Sequence, residues 1–252
     1  MSAPALATRG LHKSFGSLVV ASDIELSLPQ GARYALIGPN GAGKTTLINM
    51  LTGLALPDRG QILLDGEDIT GLAAEARVRR GLVRTFQINT LFPQLTALEA
   101  VTLAVLEREG FARRWWRTLA THRAAMDEAF AILESLHLGS ECHRATRELA
   151  YGRQRLLEIS LALASKPRVL LLDEPAAGVP REESPALFRA IERLPADISV
   201  LFIEHDMDLV FSFASRIVVL VGGRVLTEGT PAEISRDAQV REVYLGKAAH
   251  AA

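Results

Sequence analysis

The stretch GPNGAGKTT places three glycines directly before a lysine and two threonines, and it limits most strongly what this chain can fold into. The residues before it, ARYALI, have the composition of a strand, and those after it, LINMLTGL, carry apolar residues at helical spacing. The glycines therefore occupy a strand-to-helix turn and complete the pattern G-x-x-x-x-G-K-[ST], which is typical of phosphate-binding loops. A glycine-rich turn that binds nothing is the alternative, and the complete pattern between a strand and a helix disfavours it.

The physical basis of such a loop is the close approach of main-chain N–H groups to phosphate oxygens, which glycines permit. The helix that follows directs its positive end at the same phosphates. Lys44 is predicted to bind the terminal phosphates through its ammonium, and Thr45 to ligate Mg²⁺ through its hydroxyl. The residues expected to surround the phosphates are Gly38, Pro39, Asn40, Gly41, Ala42, Gly43, Lys44, Thr45 and Thr46.

Composition sets broad limits on the class of protein. The chain has 252 residues and a formal net charge of -1, which argues against binding nucleic acid mainly through charge. A single cysteine, Cys142, excludes an intrachain disulfide. The beginning, MSAPALATRG, lacks the features of a signal peptide, and the longest apolar runs are too short to cross a bilayer. We expect a soluble intracellular protein; if it works at a membrane, something else must hold it there.

The order of apolar patterns predicts one α/β domain, residues 1–252, with a helical insertion. Strand-like runs fill the first part of the chain and return in VLLLD, VLFIE and IVVLV. VLLLD and VLFIE are continuously apolar, as expected for strands buried on both faces of a mainly parallel sheet. Between them, three segments have helical periodicity. We therefore assign residues 1–87 and 161–252 to the core and residues 88–160 to a helical subdomain.

Two acidic residues and a histidine follow buried strands, where ligands of open α/β sheets bind. Asp173 is a candidate for the metal-linked carboxylate, and Glu174 for the base that activates the attacking water. The alternative for both is a pair of turn or capping acids. His205 could contact the γ-phosphate or the attacking water, or be a structural histidine. Gln87, in VRTFQ, could ligate Mg²⁺ or be a simple polar loop residue.

Together these motifs resemble the ATP-binding-cassette (ABC) family over almost the whole chain. GPNGAGKTT is similar to its Walker A, VLLLDEP to its Walker B, TFQ to its Q-loop and FIEHD to its switch-histidine region. The resemblance implies an N-terminal antiparallel β subdomain beside the mainly parallel sheet of a P-loop NTPase core. In KSFG it implies that Phe15 stacks on adenine, although Phe15 could instead pack in the core or in a turn.

The stretch LAYGRQR resembles the family's signature element, normally LSGGQ, which meets the ATP bound to a partner subunit. The residues expected to make that contact are Ala150, Tyr151, Gly152 and Arg153. Ala150 replaces a serine, Tyr151 a glycine and Arg153 a glutamine. Pro180 stands where the family's D-loop usually carries Asn or Asp, so the effect of both Arg153 and Pro180 on hydrolysis is open.

LAYG, DEPAAG and IEHDM resemble the importers of branched-chain, hydrophobic amino acids in particular. The resemblance implies an ATPase that uses ATP and Mg²⁺, with Lys44, Gln87, Glu174 and His205 as catalytic residues. Its expected partners are a second cassette of the same or another kind, membrane permeases and, indirectly, a solute-binding protein, with no nucleic acid. The expected location is the cytoplasmic face of the membrane.

Three other functions stay open at this point. An ABC exporter, such as one serving lipopolysaccharide, has the same motifs, as does a soluble ABC ATPase that acts on nucleic acid or ribosomes. A kinase or GTPase would share only the phosphate loop. The segment RRWWR, residues 113–117, is either a surface that faces the permease or lipid headgroups, or a partly buried elbow of the helical insertion.

Overall fold

The computed structural model describes residues 3–85, 91–111 and 122–245, and a mixed sheet forms the centre of this part of the chain. Its strands are β3 (Arg33–Ile37), β6 (Leu82–Arg84), β7 (Val169–Asp173), β8 (Ser199–Ile203), β9 (Arg216–Val221) and β10 (Arg224–Gly229). Their order in the sheet is β10-β9-β3-β8-β7-β6, and all neighbours are parallel except the β9–β10 hairpin.

A second, antiparallel sheet is built from the N-terminal part of the chain. Its strands are β1 (Leu6–Phe15), β2 (Leu18–Leu28), β4 (Arg59–Leu64) and β5 (Glu67–Asp68), and their order in the sheet is β2-β1-β4-β5. Both the mainly parallel core sheet and the N-terminal antiparallel subdomain confirm the predicted fold class.

Helices cover the core sheet and form the predicted insertion. They are α1 (Lys44–Thr52), α2 (Ala74–Arg79), α3 (Ala97–Arg108), α4 (Arg123–Ser135), α5 (Tyr151–Ala164), α6 (Ser184–Glu192), α7 (Met207–Phe213), α8 (Pro231–Arg236) and α9 (Ala238–Leu245). In the described ranges, no helix combines the length and apolar character that crossing a bilayer requires.

The continuously apolar strands lie between two separate hydrophobic clusters. Leu170 and Leu172 of β7 join a cluster with the insertion helices, whereas Leu171 joins a cluster with α1 and the antiparallel sheet. Because successive strand residues point to opposite faces, both faces of β7 must be apolar. This double burial explains why VLLLD shows no alternation with polar residues.

The insertion helices α3, α4 and α5 pack together beside the core sheet. Helix α5 continues to Ala164, so it crosses the boundary that we assigned at residue 160. The helix crosses this boundary for a physical reason, because α5 contributes apolar residues to the same cluster as the core strands. The division into a core and a helical subdomain stays a prediction.

Candidate functional site

The phosphate-loop residues form the predicted turn between β3 and α1. Gly41 and Gly43 have φ angles of 80° and 102°, in the region that favours glycine. A Cβ atom on Gly43 would lie 2.4 Å from the carbonyl oxygen of Val20, and one on Gly38 would lie 2.2 Å from that of Leu220. The loop is thus enclosed by β2 and β9, and only glycine fits at these two positions.

Lys44 is the first residue of α1, and its side chain folds over the loop. Its Nζ donates to the carbonyl oxygens of Gly38 and Pro39 at 2.6 and 3.1 Å. Burial lowers the pKa of Lys44, while the nearby carboxylates of Glu174 and Asp173 act in the opposite direction. The fold therefore brings Lys44 close enough to both candidate carboxylates for their charges to interact.

The carboxyl ends of β3, β8 and β7 meet at one edge of the sheet because these strands are parallel neighbours. Asp173 is the last residue of β7, and Glu174 follows it with a left-handed φ of 50°. The N–H of Glu174 donates to the carbonyl oxygen of Ile203, the last residue of β8, at 3.0 Å. Nε2 of His205 lies 2.9 Å from Oε1 of Glu174. Two residues predicted from separate motifs are thus in direct contact.

Arg84 is a site residue that the sequence interpretation missed. It ends β6, and its guanidinium donates to Oδ2 of Asp173 and, at 2.8 Å, to Oδ1 of Asn49 in α1. Asp173 is only 7% exposed, so an ion pair with Arg84 compensates its buried charge. The sequence shows only an arginine after the short apolar run of VRTFQ, and the pairing of this run with VLLLD is seen only in the tertiary structure.

The candidate metal ligands are oxygen donors at this edge. Thr45 is exposed in the first turn of α1, and the carboxylate of Asp173 ends β7. One hydroxyl and one carboxylate fit Mg²⁺, which usually keeps few protein ligands and completes its shell with phosphate oxygens and water. Gln87, the third predicted ligand, lies outside the described residues, as does the segment at 113–117.

Phe15 ends β1 and is 56% exposed, so its ring is not part of the core. The Nζ of Lys13 lies 5.4 Å from the centre of this ring. The following strand, β2, contributes Val20, which borders Gly43 of the phosphate loop. The ring is therefore a solvent-facing apolar surface on a hairpin that contacts the loop.

The signature residues lie elsewhere and contact their own subunit. The ring of Tyr151 covers Gly178, where a Cβ atom would lie 2.9 Å from the ring carbon Cε1. The Tyr151 hydroxyl accepts a hydrogen bond of 2.9 Å from Arg155, which also donates to the carbonyl oxygen of Ala177 at 3.1 Å. The tyrosine that departs from the family pattern thus packs against the loop after Glu174.

Arg153 is held by the segment that follows α4. Its guanidinium pairs with Glu141 at 3.2 Å and donates to the carbonyl oxygen of His137 at 3.0 Å. With Ala150 and Gly152, Arg153 lines a cavity of about 540 Å³, whereas Glu174 and His205 line a different cavity of about 580 Å³. The structure therefore brings together the phosphate loop, Glu174 and His205, but not the signature.

Comparison with known proteins gives consistent matches. Residues 21–177 match the family model described as ABC transporter, and residues 224–250 match the one described as branched-chain amino acid ATP-binding cassette transporter. The high-affinity branched-chain amino acid transport ATP-binding protein BraF of Pseudomonas aeruginosa is 41% identical, over 98% of this chain and 100% of that protein.

The lipopolysaccharide export system ATP-binding protein LptB of Acidithiobacillus ferridurans is 38% identical, over 96% of both chains. Sequence identity alone therefore does not distinguish an import cassette from an export cassette. Among solved structures, the ADP conformation of MJ1267, an ATP-binding cassette of an ABC transporter, has a TM-score of 0.85 and 30% identity, and covers 98% of this chain and 99% of that one.

Proposed function

The chain belongs to the ABC transporter family and is one of its ATP-hydrolysing cassettes, and we propose that it powers the import of branched-chain, hydrophobic amino acids. The observation that carries the catalytic part is the meeting of Lys44, Glu174 and His205 at one sheet edge. The proposed importer direction and solute class rest on the match of residues 224–250 to the model described as branched-chain amino acid ATP-binding cassette transporter, together with the relative BraF.

In this proposal, each candidate residue at the carboxyl ends of the core strands has a separate role in hydrolysis. Lys44 and the loop N–H groups bind the β- and γ-phosphates of ATP. Glu174 accepts the proton of the water that attacks the γ-phosphorus, while the bond to the β-phosphate oxygen breaks. His205 orients Glu174 and contacts the γ-phosphate. Phe15 offers its exposed ring to the adenine.

Thr45, Asp173 and Gln87 are the proposed residues that hold Mg²⁺. When bound, the ion neutralises charge that develops on the phosphate oxygens. Arg84 restrains the position of the Asp173 carboxylate, since its guanidinium donates a charge-assisted hydrogen bond to that carboxylate.

Two cassettes, identical or homologous, would enclose two ATP molecules between them. The signature residues Ala150, Tyr151, Gly152 and Arg153 would contact the ATP of the partner, because α5 begins there and presents its positive end. The helical subdomain, residues 88–160, would transmit closure to permeases at the cytoplasmic face of the membrane. A solute-binding protein would deliver the amino acid from the other side.

Uptake in the native host tests this function. A strain that lacks the gene is complemented with the wild-type chain or with Lys44→Ala, and uptake of labelled leucine is measured, with labelled lysine as the control solute. We expect only the wild-type chain to restore leucine uptake, and lysine uptake to be the same in all strains. Leucine uptake that does not depend on the gene would contradict the proposed solute class.

Co-purification from native membranes tests the partners. We expect the wild-type chain to be recovered with permease subunits and a second cassette. Recovery with ribosomes or with lipopolysaccharide-export subunits instead would contradict the importer assignment.

A further inference from the structure

Glu204 follows β8 directly and is only 6% exposed. Every residue of β8 is buried, so this carboxylate continues a buried strand into the protein interior. Burial raises the pKa of Glu204, although hydrogen bonds from main-chain N–H groups oppose this effect. A carboxylate in such a place destabilises a fold unless its oxygens are hydrogen-bonded, so its presence requires an explanation.

Each oxygen of Glu204 accepts a hydrogen bond from a different segment of the chain. Oε1 accepts from the N–H of Ala176 at 2.9 Å, in the loop that follows Glu174. Oε2 accepts from the N–H of His205 at 3.1 Å. One side chain therefore connects the loop that carries Glu174 to the main chain that carries His205.

The conformation of Glu174 requires such support. Its φ of 50° is unfavourable for a residue with a side chain, and strained backbone persists only where surrounding contacts impose it. The carbonyl oxygen of Glu174 accepts from Ala177, and its N–H donates to Ile203. The hydrogen bond from Ala176 to Glu204 completes the attachment of this loop to the end of β8.

We propose that Glu204 is a positioning residue, which fixes the loop of Glu174 relative to His205 so that the two side chains stay in contact. The inference rests on the catalytic roles proposed for Glu174 and His205. A carboxylate is suited to this position because both of its oxygens accept, whereas a glutamine would offer one acceptor and set its NH₂ against the other N–H.

The test measures ATP hydrolysis by the full chain for the wild type, Glu204→Gln, His205→Ala and the double variant. We expect Glu204→Gln to lower kcat by about tenfold to a hundredfold, the usual consequence of a displaced catalytic group, with little change in KM for ATP. In the His205→Ala background, Glu204→Gln should lower kcat by less than about twofold, because the contact that it supports is already lost.

Glu128→Gln is the matched control for loss of a partly buried carboxylate, since Glu128 lies in α4, outside the catalytic edge. It should lower stability but leave kcat unchanged. Thermal unfolding of each variant verifies that it is folded, and Glu204→Asp replaces Glu204→Gln if the latter is not.

The outcomes separate this inference from the proposed function. Wild-type kcat in Glu204→Gln, with a slow His205→Ala, would overturn the positioning role alone. Equal losses in both backgrounds would show that Glu204 acts independently of His205 and would also overturn it. Wild-type kcat in His205→Ala would overturn the proposed role of the histidine and the positioning role with it.

Discussion

Glu174 and His205 are 31 residues apart in the chain and joined by a contact of 2.9 Å between Oε1 and Nε2. Because these two atoms are within hydrogen-bond distance, the imidazole restrains the position of the Glu174 carboxylate. In the proposed mechanism, the carboxylate restrained in this way receives the proton of the attacking water. The contact is possible because the two residues follow parallel neighbouring strands that end at the same edge of the sheet.

Replacement of Phe15 by alanine should raise KM for ATP on the order of tenfold and leave kcat nearly unchanged. The reason is that stacking of a base on an aromatic ring contributes about 1–3 kcal/mol to binding and does not involve the phosphates. Steady-state ATPase kinetics measure both parameters. Phe130→Ala is the control, since Phe130 is an exposed aromatic residue of α4. An unchanged KM in Phe15→Ala would remove the ring from the adenine site.

Gly178→Ala should destabilise the chain more than Gly110→Ala does. Both glycines have a left-handed φ, 78° and 75°, so each substitution carries the same backbone cost of about 1–2 kcal/mol. Among the described residues, no atom lies within 4 Å of a Cβ atom placed on Gly110, whereas one placed on Gly178 meets the Tyr151 ring. Urea unfolding measures the two losses of stability. The excess loss in Gly178→Ala should disappear when both glycine substitutions are made in a Tyr151→Ala background. Equal losses in the two single variants would mean that the ring does not restrain this loop.

Glu128→Gln should lower the free energy of unfolding by about 1–2 kcal/mol at pH 7. Both oxygens of Glu128 accept from Arg108, at 2.7 and 2.8 Å, and the same guanidinium donates to the carbonyl oxygen of Ala164. These bonds connect the ends of α3 and α5 to α4.

The same variant gives a pH test. The hydrogen bond from Arg108 is the main cause that holds the pKa of Glu128 below its ordinary value of 4.5. The stabilisation is therefore present above pH 4.5 and is lost as the pH falls through the lower pKa of the folded state. Urea unfolding should show the wild type and variant converging in that range. Glu109→Gln, which removes a more exposed partner of Arg108, should have a smaller effect at pH 7. A difference that is independent of pH would contradict the ion pair.

The strands and the phosphate loop could be predicted from sequence because their causes are local. The run VLLLD is apolar on both faces, and the turn before Lys44 requires glycines at the positions where the sequence has them. In contrast, Arg77 is fully buried and donates to the carbonyl oxygens of Met50 and Leu51 at the end of α1. One of three closely spaced arginines in AEARVRR gives no sign of such a partner in the sequence, since the contact depends on how α2 packs.

The contacts of Glu204 and Arg84 were missed for a related reason. Each side chain compensates a charge or an N–H group that only tertiary structure brings near it, so no spacing in the sequence reports it. The helix α7 was also not predicted, although Asp206 is a recognisable start signal: its carboxylate accepts from the N–H groups of Asp208 and Leu209. Seven residues are too short for a clear apolar period.

Glu174→Gln tests the central claim most directly, because it nearly preserves size and shape while it removes the carboxylate proposed to accept the proton of water. Hydrolysis and binding of ATP are measured side by side for the wild type, Glu174→Gln and the control Glu182→Gln, which changes an exposed acid of the same loop region. Size-exclusion chromatography with ATP, with ADP and without nucleotide follows the assembly. We expect Glu174→Gln to bind ATP normally, to hydrolyse it about 10²–10⁴-fold more slowly and to accumulate as a dimer with ATP but not with ADP, while Glu182→Gln behaves as the wild type. A Glu174→Gln variant that hydrolyses ATP at the wild-type rate would contradict the account.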